Sequence, residues 1–274
     1  MQLKKLKEKY GPWAVIAGGS QGIGEAYARI LGGQGINLVL IARGKPLLDK
    51  LAKEIEDELM ISVRTISVDL ADDNAINIVR EKTDDIEFNM LIYNAAAEVL
   101  GPFFNSELKE HLTMLNVNCR SVLVFLEHFG RLMKERKKGG IILMSSMSCL
   151  VGSPYITHYG ATKAYIRNLA EGLWYEFKPF NIDVISCIPG KTKTLRYIES
   201  NPDDNKGLFA GGAIEPMAVA KEAIKRIGRD PSFTPGFLNK LATFILRRLI
   251  SNKRGIIVGG KILDNMFHYS DEVH

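Results

Sequence analysis

Tyr159 and Lys163 stand four positions apart in "HYGATKAY", a spacing that on a helix puts both side chains on one face. A phenol and an ammonium so placed can move a proton. A free phenol titrates near ~10, too high for an efficient base at neutral pH, and a neighbouring ammonium stabilises its anion. Ser146 lies thirteen positions before Tyr159 at the end of an apolar run, and Asn118 lies in "NVNCRS" within an earlier helical pattern. These residue types suit hydride chemistry at a carbonyl. When a ketone is reduced, negative charge builds on its oxygen, and a proton donor must be poised there in a site shielded from water. Tyr159 is the expected donor, or the base that takes the alcohol proton in the reverse direction; Ser146 is expected to hydrogen-bond and orient the carbonyl oxygen. Two neighbours are decoys: Ser145 falls one position early, and Tyr155 has no Lys four residues on.

In a chain with nine tyrosines, YxxxK means little without elements to position it. Apolar, β-rich runs alternate with helical patterns. "WAVIAG" precedes a helix expected over 22–34, "INLVLIA" one over 45–60, and "SVRTISVD" one over 72–83. "FNMLIYNA" leads to a long helical region over 106–138, "GGIILMSS" to a helix over 158–177, and "IDVISCIPG" to a loop and a later helix. Continuous apolar strands separated by helices predict an α/β fold: a Rossmann-type doubly wound parallel sheet flanked by helices on both faces. With 274 residues, 46% hydrophobic and 24% charged, the composition is that of one globular domain over 1–274. A substrate loop is expected at 191–214, rich in Asn, Asp and Gly, beyond a strand's C-terminal end where ligands bind in such folds. A helical extension is expected over 236–274.

In an open α/β sheet a pyrophosphate sits at the first strand-to-helix turn, where backbone N–H groups and the helix dipole face the anion. "VIAGGSQGIGEAYARIL" supplies that turn through Gly18, Ser20, Gln21, Gly22, Ile23 and Gly24. Its glycine spacing is GxxxGxG, not the commoner GxGxxG. The end of the second strand selects the dinucleotide: an acid there hydrogen-bonds the ribose hydroxyls of NAD, whereas Arg pairs with the 2′-phosphate of NADP. This chain has Ala42 followed by Arg43, which points to NADP.

The glycine spacing and the segments downstream of it resemble the short-chain dehydrogenase/reductase family. Its TGxxxGIG reads here "AGGSQGIG", with Ala17 for Thr; its NNAG reads "YNAA", keeping Asn94 and Ala95 and placing Ala96 last. Asn118, Ser146, Tyr159 and Lys163 match the family's tetrad in order. The resemblance implies that Lys163 also holds the nicotinamide ribose hydroxyls, and that Asn118 shapes a helix distortion holding a proton-relay water. It also places Asp69, with Leu70 beside it in "SVDL", at the adenine ring. Pro189, Gly190 and Thr194 resemble the PGxxxT segment at the nicotinamide and pyrophosphate, with Thr192 where Val or Ile is usual. Within the family, "LKEKYGPWAVIAGGSQGIG" and "NVN…MSSM…YGATKAY" are similar to NADP-dependent hydroxysteroid dehydrogenases of the 7β type.

The pocket is expected to be lined by Ser146, Leu150, Tyr155, Tyr159, Leu195, Tyr197 and Phe209. Such apolar and aromatic walls suit a bulky hydrophobic ketone or alcohol, a hydroxysteroid or bile acid, better than a sugar. A 3-oxoacyl-thioester, another lipophilic ketone, or a non-catalytic NADP-binding scaffold are the alternatives. Cys119, Cys149 and Cys187 sit far apart with no metal-binding spacing, reading as reduced thiols in a cytoplasmic protein, with no metal site. The net charge of +5 collects in short runs without a recognition motif, so no nucleic-acid partner is expected. Signal-peptide and membrane-span patterns are lacking, and no membrane partner is expected. The family's usual assembly implies a homodimer or homotetramer through the helices of 106–138 and 158–177. Past Pro235, Leu238, Leu241, Phe244, Ile245 and Leu249 fall on one helix face. That stripe could pack on the domain or a twin subunit, lie on a membrane surface, or act as a lid.

Overall fold

The computed structural model describes residues 4–200 and 212–267. Seven strands form one parallel sheet: β1 (Trp13–Ala17), β2 (Asn37–Ala42), β3 (Val63–Ser67), β4 (Phe88–Tyr93), β5 (Gly139–Met144), β6 (Ile182–Cys187) and β7 (Ser232–Phe233), in the order β3-β2-β1-β4-β5-β6-β7. Strands β4 and β5 are buried at every residue, as a sheet covered on both faces requires. One apolar cluster around Tyr27, Leu40 and Ile185 packs one face, and another around Val39, Phe125 and Phe129 packs the other. The strand order reverses direction between β1 and β4. Their C-terminal ends, Ala17 beside Tyr93, therefore open the crevice in which a doubly wound fold binds its ligand.

The helices that carry the site are α2 (Gly22–Gly32), α5 (Leu108–Leu115), α6 (Ser121–Arg136) and α7 (Thr157–Glu176). Several boundaries differ from the sequence reading for local reasons. Met60 is not in the helix that precedes it: α3 (Lys45–Leu59) stops there because Met60 takes the left-handed conformation. The helix expected from residue 72 begins at Ala75, since the Asp69 and Asp72 carboxylates accept the N–H groups of Ala71 and Asn74 and hold local turns. The long helical region over 106–138 is interrupted by a π-helical turn, Asn116–Arg120, between α5 and α6. The loop after β6 contains a bridge between Thr192 and Ile214 and a short helix, α8 (Leu195–Ser200).

Besides α8, two elements among the described residues were not read from the sequence. One is an N-terminal helix, α1 (Lys4–Tyr10), whose buried Tyr10 donates to the Asp183 carboxylate at 2.6 Å. The other is β7, two residues long, reached through α9 (Pro216–Arg226). After it come α10 (Phe237–Arg248) and α11 (Asn252–Phe267), the expected helical extension.

Candidate active site

The first strand turns into α2 through glycines whose conformation and close approach disfavour a side chain. Gly18 and Gly22 have φ of +77° and +59°, a region L side chains rarely enter. A Cβ on Gly24 would lie 1.9 Å from the Gly18 carbonyl oxygen. The family's Thr is absent at Ala17, and the main chain ties the turn instead: the Ala17 carbonyl accepts the N–H groups of Asn94 and Ala95 at 2.9 and 2.8 Å, and Asn94 Nδ2 donates to Gly18 O at 2.8 Å. Gln21 caps α2 in an extended conformation without a side-chain cap bond. The first-turn N–H groups of α2 are thus left for an outside acceptor, the arrangement that receives a pyrophosphate. Ser20, Gln21 and Ile23 sit on that turn, partly or fully exposed.

Arg43 is exposed just past the end of β2, its carbonyl fixed by the Ser67 hydroxyl at 2.9 Å. Asp69 is exposed and Leu70 buried beneath it. Ala96 follows Ala95 in the chain leaving β4, and Pro189 and Gly190 follow β6, where the Pro189 carbonyl accepts the Met147 N–H at 2.9 Å. A Cβ on Gly22 would meet the Thr194 methyl at 3.0 Å, so the turn before α2 and the segment after β6 lie against each other. Thr192 bonds Gly190 O at 3.1 Å. These residues, drawn from the ends of successive strands, fit a dinucleotide.

The candidate reacting residues lie on the π-helical turn, at the end of β5 and on α7. The π-helical turn carries Asn118, which is fully buried. Its Oδ1 accepts the Ala97 N–H at 2.9 Å, and its Nδ2 donates to Ala97 O at 2.8 Å and to Thr162 Oγ1 at 3.0 Å. The Thr162 hydroxyl donates in turn to the Tyr159 carbonyl at 2.8 Å. Asn118 is thereby joined to the turn of α7 that bears Tyr159. Lys163, 2% exposed, places Nζ 5.5 Å from the Tyr159 ring centre and donates to Met144 O at 2.9 Å. Burial pulls its ammonium down to about 8, against a smaller opposing pull from the Glu98 carboxylate.

Ser146 caps a short 3-10 turn at the end of β5 and accepts the Ser148 N–H at 3.3 Å. A Cβ on Gly160 would lie 2.9 Å from Ser148 O, so the backbone beside Tyr159 is pressed against the Ser146 turn. The decoys separate cleanly. Ser145 is buried and donates to Lys163 O at 2.8 Å, a structural bond. Tyr155 has φ of +63° and its hydroxyl reaches Asp264 of α11 at 3.4 Å.

Among the described residues, the other expected pocket residues lie on the segment after Ser146 and on α8. Leu150 is half-buried, Leu195 is 61% exposed on α8, and Tyr197 receives its backbone hold from Thr194. Phe209 lies outside the described residues. Thr162 and Glu98 were not singled out from sequence. A Thr bonding back three residues inside a helix is a readable signal for the first, whereas proximity of Glu98 to Lys163 exists only in three dimensions. Tyr93, which stands where the family has Asn, is buried with its hydroxyl on Val117 O at 2.7 Å, bracing the π-helical turn.

The short chain dehydrogenase family profile matches residues 12–205, and the chain belongs to that family of CH–OH oxidoreductases. A 7beta-hydroxysteroid dehydrogenase of Clostridium sardiniense is 31% identical over 235 residues, covering 86% of this chain and 89% of that protein. A solved 7beta-hydroxysteroid dehydrogenase superposes with a TM-score of 0.87 at 26% identity, over 93% of this chain and 98% of the other. A short-chain dehydrogenase from Sphingobium yanoikuyae in complex with NADPH gives a TM-score of 0.74 at 25% identity, over 82% and 87% of the two chains.

Proposed function

We propose that this chain is an NADP(H)-dependent oxidoreductase interconverting a ketone and a secondary alcohol on a bulky hydrophobic substrate of the hydroxysteroid or bile-acid type. The observation that carries the reading is the linkage of Asn118, Thr162 and Tyr159 beside buried Lys163. A bound nicotinamide supplies or accepts the hydride. Tyr159 gives its phenolic proton to the developing alkoxide, or takes the alcohol proton in oxidation. Lys163 is held by Met144 O with its charge close to the phenol, and it stabilises the phenolate. Ser146 orients the carbonyl oxygen, and the Asn118 amide keeps the π-helical turn and α7 in register. Arg43 favours NADP over NAD, a preference consistent with the NADPH complex of the relative from Sphingobium yanoikuyae.

The steroid assignment rests on similarity to the 7beta-hydroxysteroid dehydrogenases and on the apolar residues after Ser146 and in α8. Its test is a panel of ketosteroids, 3-oxoacyl-thioesters and small aromatic ketones assayed with NADPH. A kcat/KM highest for ketosteroids supports it; preference for acyl-thioesters or small ketones moves the substrate elsewhere within the same chemistry. A homo-oligomer is part of the reading as well, since Leu108 and Leu112 of α5 and Leu123 of α6 are 72%, 49% and 50% exposed. Light scattering checks it: a strict monomer at all concentrations contradicts it.

A further inference from the structure

Between Pro231 and Leu263 the chain carries six Lys and Arg and no Asp or Glu. Within that stretch α10 turns large apolar side chains outward: Phe237 is 79% exposed, Leu238 66%, Phe244 56% and Leu249 68%. These positions and Leu241 share one side of the helix. The other side is fixed to the chain. Thr243 meets the Thr234 hydroxyl at 3.2 Å, Asn239 donates to Pro235 O at 3.0 Å, and Lys240 binds Glu222 at 2.6 Å. The orientation of α10 is therefore set: of the stripe expected to pack on the domain or a twin subunit, Leu238, Leu241, Phe244 and Leu249 are exposed on this chain. An apolar patch so displayed marks a contact surface.

Charge decides what fits it. Arg247 and Arg248 line, with Lys240 and Phe244, a cavity of about 290 Å³ at the base of α10, and Lys253 and Arg254 are exposed just beyond. Lys240 is answered by Glu222 and Arg247 lies near Glu171, but a second copy docking through the same face would bring Arg248, Lys253 and Arg254 against their twins with no carboxylate in the stretch to answer them. An anionic bilayer surface supplies both an apolar layer for Phe237, Leu238 and Phe244 and phosphates for the cations. None of the described helices is long and apolar enough to cross a membrane, so the contact is with the surface. We propose that α10 is a peripheral membrane-binding element that seats this chain on anionic lipid. The proposal replaces the expectation of no membrane partner and stands apart from the choice of substrate.

Co-sedimentation of the full chain with phosphatidylcholine vesicles, alone or mixed with phosphatidylglycerol, tests it. The expected result is partitioning about tenfold or more stronger on the anionic vesicles, weakened by added salt. Leu241→Glu with Phe244→Glu should lower it at least about tenfold, and so should Arg248→Glu with Lys253→Glu, with circular dichroism unchanged in both. Three results overturn the proposal: no sedimentation with either vesicle, full vesicle binding by the Leu241→Glu/Phe244→Glu chain, or a drop in solution mass for that chain without any vesicle binding in the parent, which would give the face to a second copy.

Discussion

The Tyr159 turn of α7 and the outward side of α10 are both helical surfaces, yet one is closed and the other open. Around Tyr159, Asn118 and Lys163 are 0% and 2% exposed and their polar atoms are bonded to Ala97, Thr162 and Met144. Along α10, Phe237, Leu238, Phe244 and Leu249 are each more than half exposed and Leu241 is 47% exposed. A closed polar network can hold a reacting geometry because every donor left unpaired in it costs about 1–3 kcal/mol. An open apolar face holds nothing until a partner arrives. On the proposed function the first region serves chemistry and, on the further proposal, the second serves attachment, so substitutions in the two should fail differently.

The largest effect is expected at Lys163. Lys163→Met keeps most of the side-chain volume but removes the charge beside the phenol, and should lower kcat/KM for ketone reduction by about 10²–10⁴-fold. It should also weaken NADPH binding in a fluorescence titration. A change of twofold or less in both would show that the closed network is architecture alone.

The pH profile sharpens the same point. Burial disfavours the charged form of Lys163 and brings it down to about 8, so the ammonium is present below that pH and lost above it. The kcat/KM for reduction should therefore be level below about 8 and fall at higher pH. Lys163→Arg, whose charge persists, should move that falling limb to higher pH even if its rate is lower throughout.

Thr162→Val cuts the bridge between Asn118 and the Tyr159 turn with little change of volume. It should cost about 1–3 kcal/mol of unfolding free energy, since Asn118 Nδ2 loses a buried partner, and lower kcat more than it raises KM. Urea unfolding with steady-state kinetics reads both. Arg43→Ala, away from the reacting atoms, should narrow the NADPH-over-NADH preference by about 1–3 kcal/mol, mainly by weakening NADPH. Equal losses for both cofactors would remove Arg43 from cofactor selection. The smallest effect belongs to the open region: Leu241→Glu should change unfolding free energy by no more than about 0.5 kcal/mol, whereas Phe125→Ala in the core should cost about 3–5 kcal/mol.

The same contrast separates what was legible in the sequence from what was not. Tyr159 and Lys163 stand out by type and spacing, Asn118 and Ser146 by their match in order to the short-chain dehydrogenase/reductase tetrad, and the parallel sheet follows from its fully apolar strands. The glycine turn is legible because positive φ and close approach admit little else. The π-helical turn is not legible from pattern, since "NVNCRS" reads as ordinary helix; the family resemblance alone implies a distortion at Asn118, and the turn is tied from outside by the Tyr93 hydroxyl and by Ala97, which the Asn118 amide bonds. Neither is α1, whose seven residues depend on packing Leu6 and Tyr10 into the core. The stripe of α10 is visible as a stripe, but periodicity specifies a face and not its partner; only the fixed orientation of the helix shows that the face is turned away from the sheet.

The most direct test of the central claim compares the parent chain with Tyr159→Phe in NADPH consumption on the same ketone panel, with NADPH affinity measured in parallel. The parent is expected to turn over at least one bulky ketone. The variant should lose about 10²–10⁴-fold in rate while its NADPH dissociation constant moves by less than about twofold, a few tenths of a kcal/mol. A variant that reduces the ketone at nearly the parental rate would contradict the assignment, because the proton would then come from a group other than Tyr159.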